Sequence, residues 1–204
     1  NEGIKKAEEA VVAAHTENQK ISSIKMLSEM YIEKKDFDKC EQLLLPYSRI
    51  GNPLGKMALF QLSIMYEKRG EIQKAADSWQ LYTVRFEYEK DIDEAYFRYG
   101  ELMYNFENYK KCIEVFDKYK TNYPQSKYLQ IAYFYLCDAL YKENEKNRSL
   151  LLSIDYLNKY KDAPYGFQLM LNCAKIYAEK EDYKNALSYV QQMINKYPEQ
   201  IDAF

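Results

Sequence analysis

Apolar residues recur along this chain three and four positions apart, and the pattern itself returns about every 37 residues. The stripes are Ile24, Leu27, Tyr31; Leu59, Leu62, Tyr66; Tyr96, Tyr99, Met103; Tyr133, Leu136, Leu140; and Met170, Cys173, Tyr177. Spacing of this kind puts each set on one face of a helix. Inside the stripes sit five small residues, Ser28, Ser63, Gly100, Cys137 and Ala174, separated by 35, 37, 37 and 37 positions. A second series, Cys40, Ala75, Cys112, Ser153 and Ala186, follows at an offset of 12, stretched to 16 in the fourth unit. Two helices approach closely where both carry small side chains, so each pair reads as a helical hairpin. A fixed period of such hairpins is the signature of a solenoid, in which each unit buries its apolar face against its neighbours.

Polar punctuation supports the same division. Phe37, Ile72, Tyr109 and Tyr183 open the second helices behind Asp36, Gly70-Glu71, Asn108 and Asp182, residues suited to turns and caps. Asn52-Pro53, Pro124, Pro164 and Pro198 mark the ends of units. The extra residues of the fourth unit, Glu143 to Ser149, predict a longer solvated turn. Ile4, Ala7, Val11 and Ala14 trace the face of one further helix at the N-terminus. The expected layout is a single array: a helix over 1–20, repeats at about 21–55, 56–92, 93–129, 130–166 and 167–200, and the opening of another helix at 201–204. With Asn1 first and Ile201-Asp202-Ala203-Phe204 last, both ends read as cut, and native sequence is expected on one or both sides.

Composition changes this picture little. Six Gly and five Pro in 204 residues leave no linker-like segment. The balance of 29 basic against 31 acidic residues provides no basic stripe, which argues against a nucleic-acid partner. No apolar run reaches the roughly 20 residues needed to cross a bilayer.

The repeats resemble the tetratricopeptide family, whose consensus runs from an aromatic or apolar opener through Leu-Gly, Tyr, Ala, Phe and Ala to a closing Pro. The likeness covers about residues 21–200 and is most faithful in the fifth unit, with Tyr177, Asp182-Tyr183, Ala186 and Tyr197-Pro198. The second unit departs from it at Val84-Arg85-Phe86-Glu87, where no proline stands. The resemblance implies an all-α, right-handed superhelical solenoid of about five hairpins plus the N-terminal helix, acting as a protein-binding scaffold. The junction Phe116, Tyr119, Tyr123-Pro124-Gln125-Ser126, Tyr128, Ala132 is also similar to that of bacterial envelope members, the outer-membrane assembly lipoprotein and the Tol-Pal coordinator type. That similarity implies a periplasmic or outer-membrane setting rather than a cytoplasmic one.

Candidate chemistry largely dissolves once placed on the repeats. Cys40, Cys112, Cys137 and Cys173 fall at positions held by small or apolar residues in sister units and read as core. They form no Cys-x-x-Cys pair, and with a single His no metal site or cofactor is expected. His15, placed on the first helix among alanines, lacks a nucleophile or carboxylate partner, so no enzyme is expected.

Function is therefore sought on the concave face lined by the first helices. The positions facing it are Ser22, Lys25, Glu29, Ile32; Met57, Phe60, Ile64, Glu67; Glu94, Phe97, Glu101, Tyr104; Ile131, Phe134, Asp138, Tyr141; and Gln168, Leu171, Lys175, Ala178. Of these, Phe60, Ile64, Phe97, Glu101, Tyr104, Ile131, Phe134, Asp138, Tyr141 and Leu171 form the expected groove for an apolar or aromatic peptide or helix. The competing reading buries part of this stripe between adjacent first helices. The Lys and Asn pattern that clamps a chaperone's C-terminal carboxylate is missing, since the matching pairs are Lys25/Glu29, Phe60/Ile64, Phe97/Glu101, Phe134/Asp138 and Leu171/Lys175. Two functions stand: a binding scaffold in an envelope complex, or a regulatory array cut from a larger enzyme or signalling protein.

Overall fold

The computed structural model describes residues 2–89, 92–161 and 165–201. Twelve helices and no strand occur among them: α1 (Glu2–Val12), α2 (Glu17–Glu33), α3 (Phe37–Leu44), α4 (Pro53–Arg69), α5 (Ile72–Arg85), α6 (Ile92–Asn105), α7 (Tyr109–Asn122), α8 (Leu129–Lys142), α9 (Lys146–Lys159), α10 (Gly166–Glu179), α11 (Tyr183–Lys196) and α12 (Pro198–Ile201). The chain divides into two compact units, residues 1–102 and 103–204.

Every hairpin turn is built alike. The amide of Asp36, Glu71, Asn108, Glu145 and Asp182 donates to the carbonyl of Tyr31, Tyr66, Met103, Leu140 and Tyr177, each at 2.9 Å. The residue before each donor, Lys35, Gly70, Glu107, Asn144 or Glu181, takes a positive φ between 58° and 81°. This Schellman closure satisfies the last carbonyls of the first helix, and the same five donor residues then serve as N-caps of the second. At Asn108 and Asp182 the side chain completes the cap by accepting from Lys111 N and Asn185 N. Gly70 alone meets the left-handed conformation without steric cost. Phe37, Ile72, Tyr109 and Tyr183 are each the first residue of their helix, as the pattern predicts.

The fourth unit corrects the sequence reading. Its turn has the same length as the others, and α9 begins at Lys146, so there is no extended loop from Glu143 to Ser149. The small residue at the crossing is Ser149, not Ser153: its Oγ donates to Cys137 O at 2.8 Å, twelve residues back. Cys40 Sγ approaches Ser28 O at 3.7 Å across the same interval in the first hairpin. Ser149 and Ser153 are both fully buried one turn apart on α9, and the offset of 12 kept by the other units leads from Cys137 to Ser149.

In residues 1–102, α1 packs on α2 much as α3 packs on α4. Tyr31 Oη donates to Glu8 at 2.6 Å, and Tyr66 Oη to Glu41 at 2.8 Å. Helix α1 stops at Val12, and His15 lies in the exposed connection to α2 rather than on a helix, its amide donating to Gln19 Oε1 at 3.1 Å. Asn52 caps α4 by accepting from Gly55 N at 2.9 Å, so Asn52-Pro53 opens a helix rather than closing a unit. In residues 103–204, Phe116, Tyr119, Leu136, Leu140, Tyr156 and Leu169 are essentially fully buried. Of the expected unit ends, Pro124 follows α7 and Pro198 opens α12, while Pro164 lies outside the described residues. Among the described residues no helix is long and apolar enough to cross a membrane.

Candidate functional site

The expected aromatic groove is split by burial. Phe97 and Phe134, read as open anchors, are only 4% and 8% exposed. Phe134 lies face to face with Tyr165, centroids 4.3 Å apart, so its ring is occupied from within the protein. Asp138 is 3% exposed. Tyr104, Glu101, Ile131, Tyr141, Leu171, Phe60 and Ile64 are half-buried. Tyr165, just before α10, covers Phe134, and hydrogen bonds from Tyr104 and Asn172 hold Asp138 inside.

In residues 103–204 a polar ladder runs across the first helices. Tyr104 Oη donates to Asp138 Oδ2 at 2.5 Å, Asn172 Nδ2 donates to Asp138 Oδ1 at 2.8 Å, and Gln168 Nε2 donates to Asn172 Oδ1 at 3.0 Å. Lys142 adds an ion pair to Asp138 at 3.3 Å and stands over the rings of Tyr104 and Tyr109 at 4.7 and 4.9 Å. Burial alone would lower the Lys142 pKa, but the Tyr109 and Tyr104 hydroxyls and the Asp138 charge hold it above the ordinary range. Burial, and then the hydrogen bond to Asp138, push the Tyr104 phenol up as well. Asp138 and Tyr104 thus tie α6, α8 and α10 together rather than offering themselves to a ligand. Asp138→Asn removes one of two carboxylate acceptors, and a loss of about 1 kcal/mol in stability is expected, measurable by denaturant melting.

Residues 1–102 keep an open cleft. It has a volume of about 460 Å³ and is lined by Lys25 and Glu29 of α2, by Pro53, Lys56, Met57, Phe60, Gln61 and Ile64 of α4, and by Tyr82 and Glu94. Its floor is rigid. Phe60 meets Trp79 edge-on at 5.0 Å and Tyr82 at 5.6 Å, and Trp79 and Tyr82 are themselves buried. The Trp79 indole N–H donates to Glu67, whose carboxyl is pushed above its ordinary value by burial, against the pull of that bond. The walls are charged: Lys56 reaches Glu89 at 2.8 Å, Lys25 stands 3.9 Å from Glu29, and Gln61 Nε2 donates to Glu29 at 3.3 Å. The sequence marked Phe60 and Ile64 as groove residues and Met57 and Glu94 as inner-facing. It gave no sign of Tyr82, which lies on the second helix α5, or of Lys56, which stands on α4 one turn before Phe60 but next to the inner-facing positions that were counted.

The four cysteines are free and buried. Burial raises the thiols of Cys40, Cys137 and Cys173 from the ordinary 9.0 to about 12 and pushes Cys112 up further. Held protonated at neutral pH, they are poor nucleophiles. A disulfide reagent at pH 8 should therefore label the native protein far more slowly than the unfolded chain. Between about pH 9 and 12 the unfolded thiols ionise while the folded ones keep their protons, so stability should fall as pH rises through that window. Among the described residues, no three His, Cys, Asp or Glu side chains group so as to hold a metal ion.

Stacked hairpins of this geometry define a tetratricopeptide-repeat fold, and a sequence model of the tetratricopeptide repeat matches residues 94–126. The chain is 27% identical over 155 residues, 71% of its length, to response regulator aspartate phosphatase A of Bacillus subtilis strain 168, and spans 39% of that protein. Among solved structures it is similar to YrrB, described as a tetratricopeptide-repeat protein with an unusual peptide-binding site, at 13% identity and a TM-score of 0.69 over 96% of this chain and 94% of that one. BtubC from P. vanneervenii superposes with a TM-score of 0.68 at 15% identity, covering 98% of this chain and 91% of that one.

Proposed function

We propose that this chain is a non-catalytic scaffold that binds a peptide segment of another protein, seating an apolar side chain on Phe60 in the cleft between α2 and α4. The observation that carries the reading is the open cleft around Phe60 and Ile64, whereas Phe97 and Phe134, the other phenylalanines of the expected groove, are buried. Its volume of about 460 Å³ lies in the range that specific ligand sites occupy. An aromatic floor backed by two buried rings offers a preformed contact at low entropic cost. Peptide binding in YrrB, a protein of the same fold, supports the class of ligand. A fluorescently tagged random hexapeptide library tests it: retention of apolar-centred peptides by the native chain and loss on Phe60→Ala are expected, and retention unchanged by that substitution would refute the site.

The match to an aspartate phosphatase supports a second reading, in which the array is the regulatory part of a longer signalling protein. In that case the purified chain should bind a response-regulator receiver domain, which gel filtration of the mixture would reveal. The envelope setting rests on the junction at residues 116–132 alone. Fractionation of the native source tests it, since recovery of the protein away from membrane and periplasm would remove it.

A further inference from the structure

Two carboxylates stand on the walls of the Phe60 cleft without tight cationic partners. Glu29 and Glu94 have side chains 51% and 31% exposed. Lys25 meets Glu29 only at 3.9 Å, and Arg98 meets Glu94 only at 3.8 Å, both beyond hydrogen-bond length. The other lysine of the cleft, Lys56, is 19% exposed and drawn off to Glu89 at 2.8 Å. Arg98 is divided as well: it stands 3.7 Å from Glu101, and its Nε is buried without a hydrogen bond. The cations nearby therefore neutralise these carboxylates weakly, on either side of an apolar floor.

Resting on the reading of this cleft as a peptide site, we propose that its occupant is a basic peptide segment, one apolar residue flanked by Lys or Arg. The apolar side chain covers Phe60, and a flanking cation displaces the loose contact at Glu29 or Glu94 with a charge-assisted hydrogen bond of ordinary length. Lys and Arg suit this place because their methylene stems can lie along Met57 and Ile64 while the charged end reaches a wall. An acidic segment would face both carboxylates with Lys25, itself beside Glu29, as its open cation, since Lys56 is engaged by Glu89.

The test is fluorescence polarisation with three hexapeptide sets sharing a central Leu-Phe and flanked by Lys, Gln or Glu. At low salt the Lys set should bind at least tenfold more tightly than the Glu set, with the Gln set between. In a Glu29→Gln, Glu94→Gln double variant that preference should fall to less than threefold while binding of the Gln set persists. Equal binding of the Lys and Glu sets, or a preference unchanged in the double variant, overturns the proposal while leaving Phe60-dependent binding, and so the cleft, intact. Absence of binding by every set, or binding indifferent to Phe60→Ala, overturns the cleft and the proposal together.

Discussion

Gly55→Ala lowers the melting temperature by roughly 3–10 °C, the shift expected for a net loss of about 1–3 kcal/mol in a chain of this size. Helix propensity alone argues the opposite sign, since Ala favours a helical position over Gly by about 1 kcal/mol. Tertiary geometry overrides it. A Cβ on Gly55 would lie 1.8 Å from Ile50 O, 2.7 Å from Ile50 C and 3.0 Å from Tyr47 O. These are backbone atoms of the connection between α3 and α4 and cannot turn aside as a side chain would. Relief requires moving the connection, which also disturbs the Asn52 cap that accepts from Gly55 N at 2.9 Å. Overpacking costs about 1–3 kcal/mol and a lost cap about 1 kcal/mol, so together they exceed the propensity gain. Gly51→Ala is the control, because a Cβ there meets nothing within 4 Å and should change stability by less than about 0.5 kcal/mol. A melting temperature unchanged or raised in Gly55→Ala would show that the α3–α4 connection is looser than described.

Phe60→Ala weakens binding of an apolar-centred peptide by about 2 kcal/mol or more, roughly thirtyfold, the scale of a buried aromatic contact at the centre of an interface. Phe60 also braces Trp79 and Tyr82, so the variant loses stability, and affinity must be measured where circular dichroism confirms that it is folded. Phe60→Leu restores apolar area and should recover part of the affinity. Phe134→Ala is the informative contrast. With its ring buried on Tyr165, it should cost about 3–5 kcal/mol in stability yet leave affinity in the folded protein unchanged. The opposite outcome, affinity lost at Phe134 and kept at Phe60, would move the binding face to residues 103–204.

The sequence by itself determined the repeat. Small residues at Ser28, Ser63, Gly100, Cys137 and Ala174, with helix openers at Phe37, Ile72, Tyr109 and Tyr183, place the hairpins because helical periodicity and turn chemistry are local properties. It also fixed the buried character of the four cysteines, since sister units fill those positions with other small or apolar residues. The fourth crossing was within reach of the spacing as well: Ser149 stands at the offset of 12 from Cys137 that the other units keep, and its hydroxyl bonds to Cys137 O. The candidate cleft was legible only in part. Phe60, Phe97 and Phe134 hold equivalent places in successive repeats, and nothing along the chain distinguishes them. What decides is how closely the next elements approach, and this leaves Phe60 half-open above Trp79 while Phe97 and Phe134 are buried. Gly55 and the loosely held Glu29 and Glu94 belong to the same class, because clashes and ion-pair distances arise between segments remote in sequence and exist only once the helices are packed.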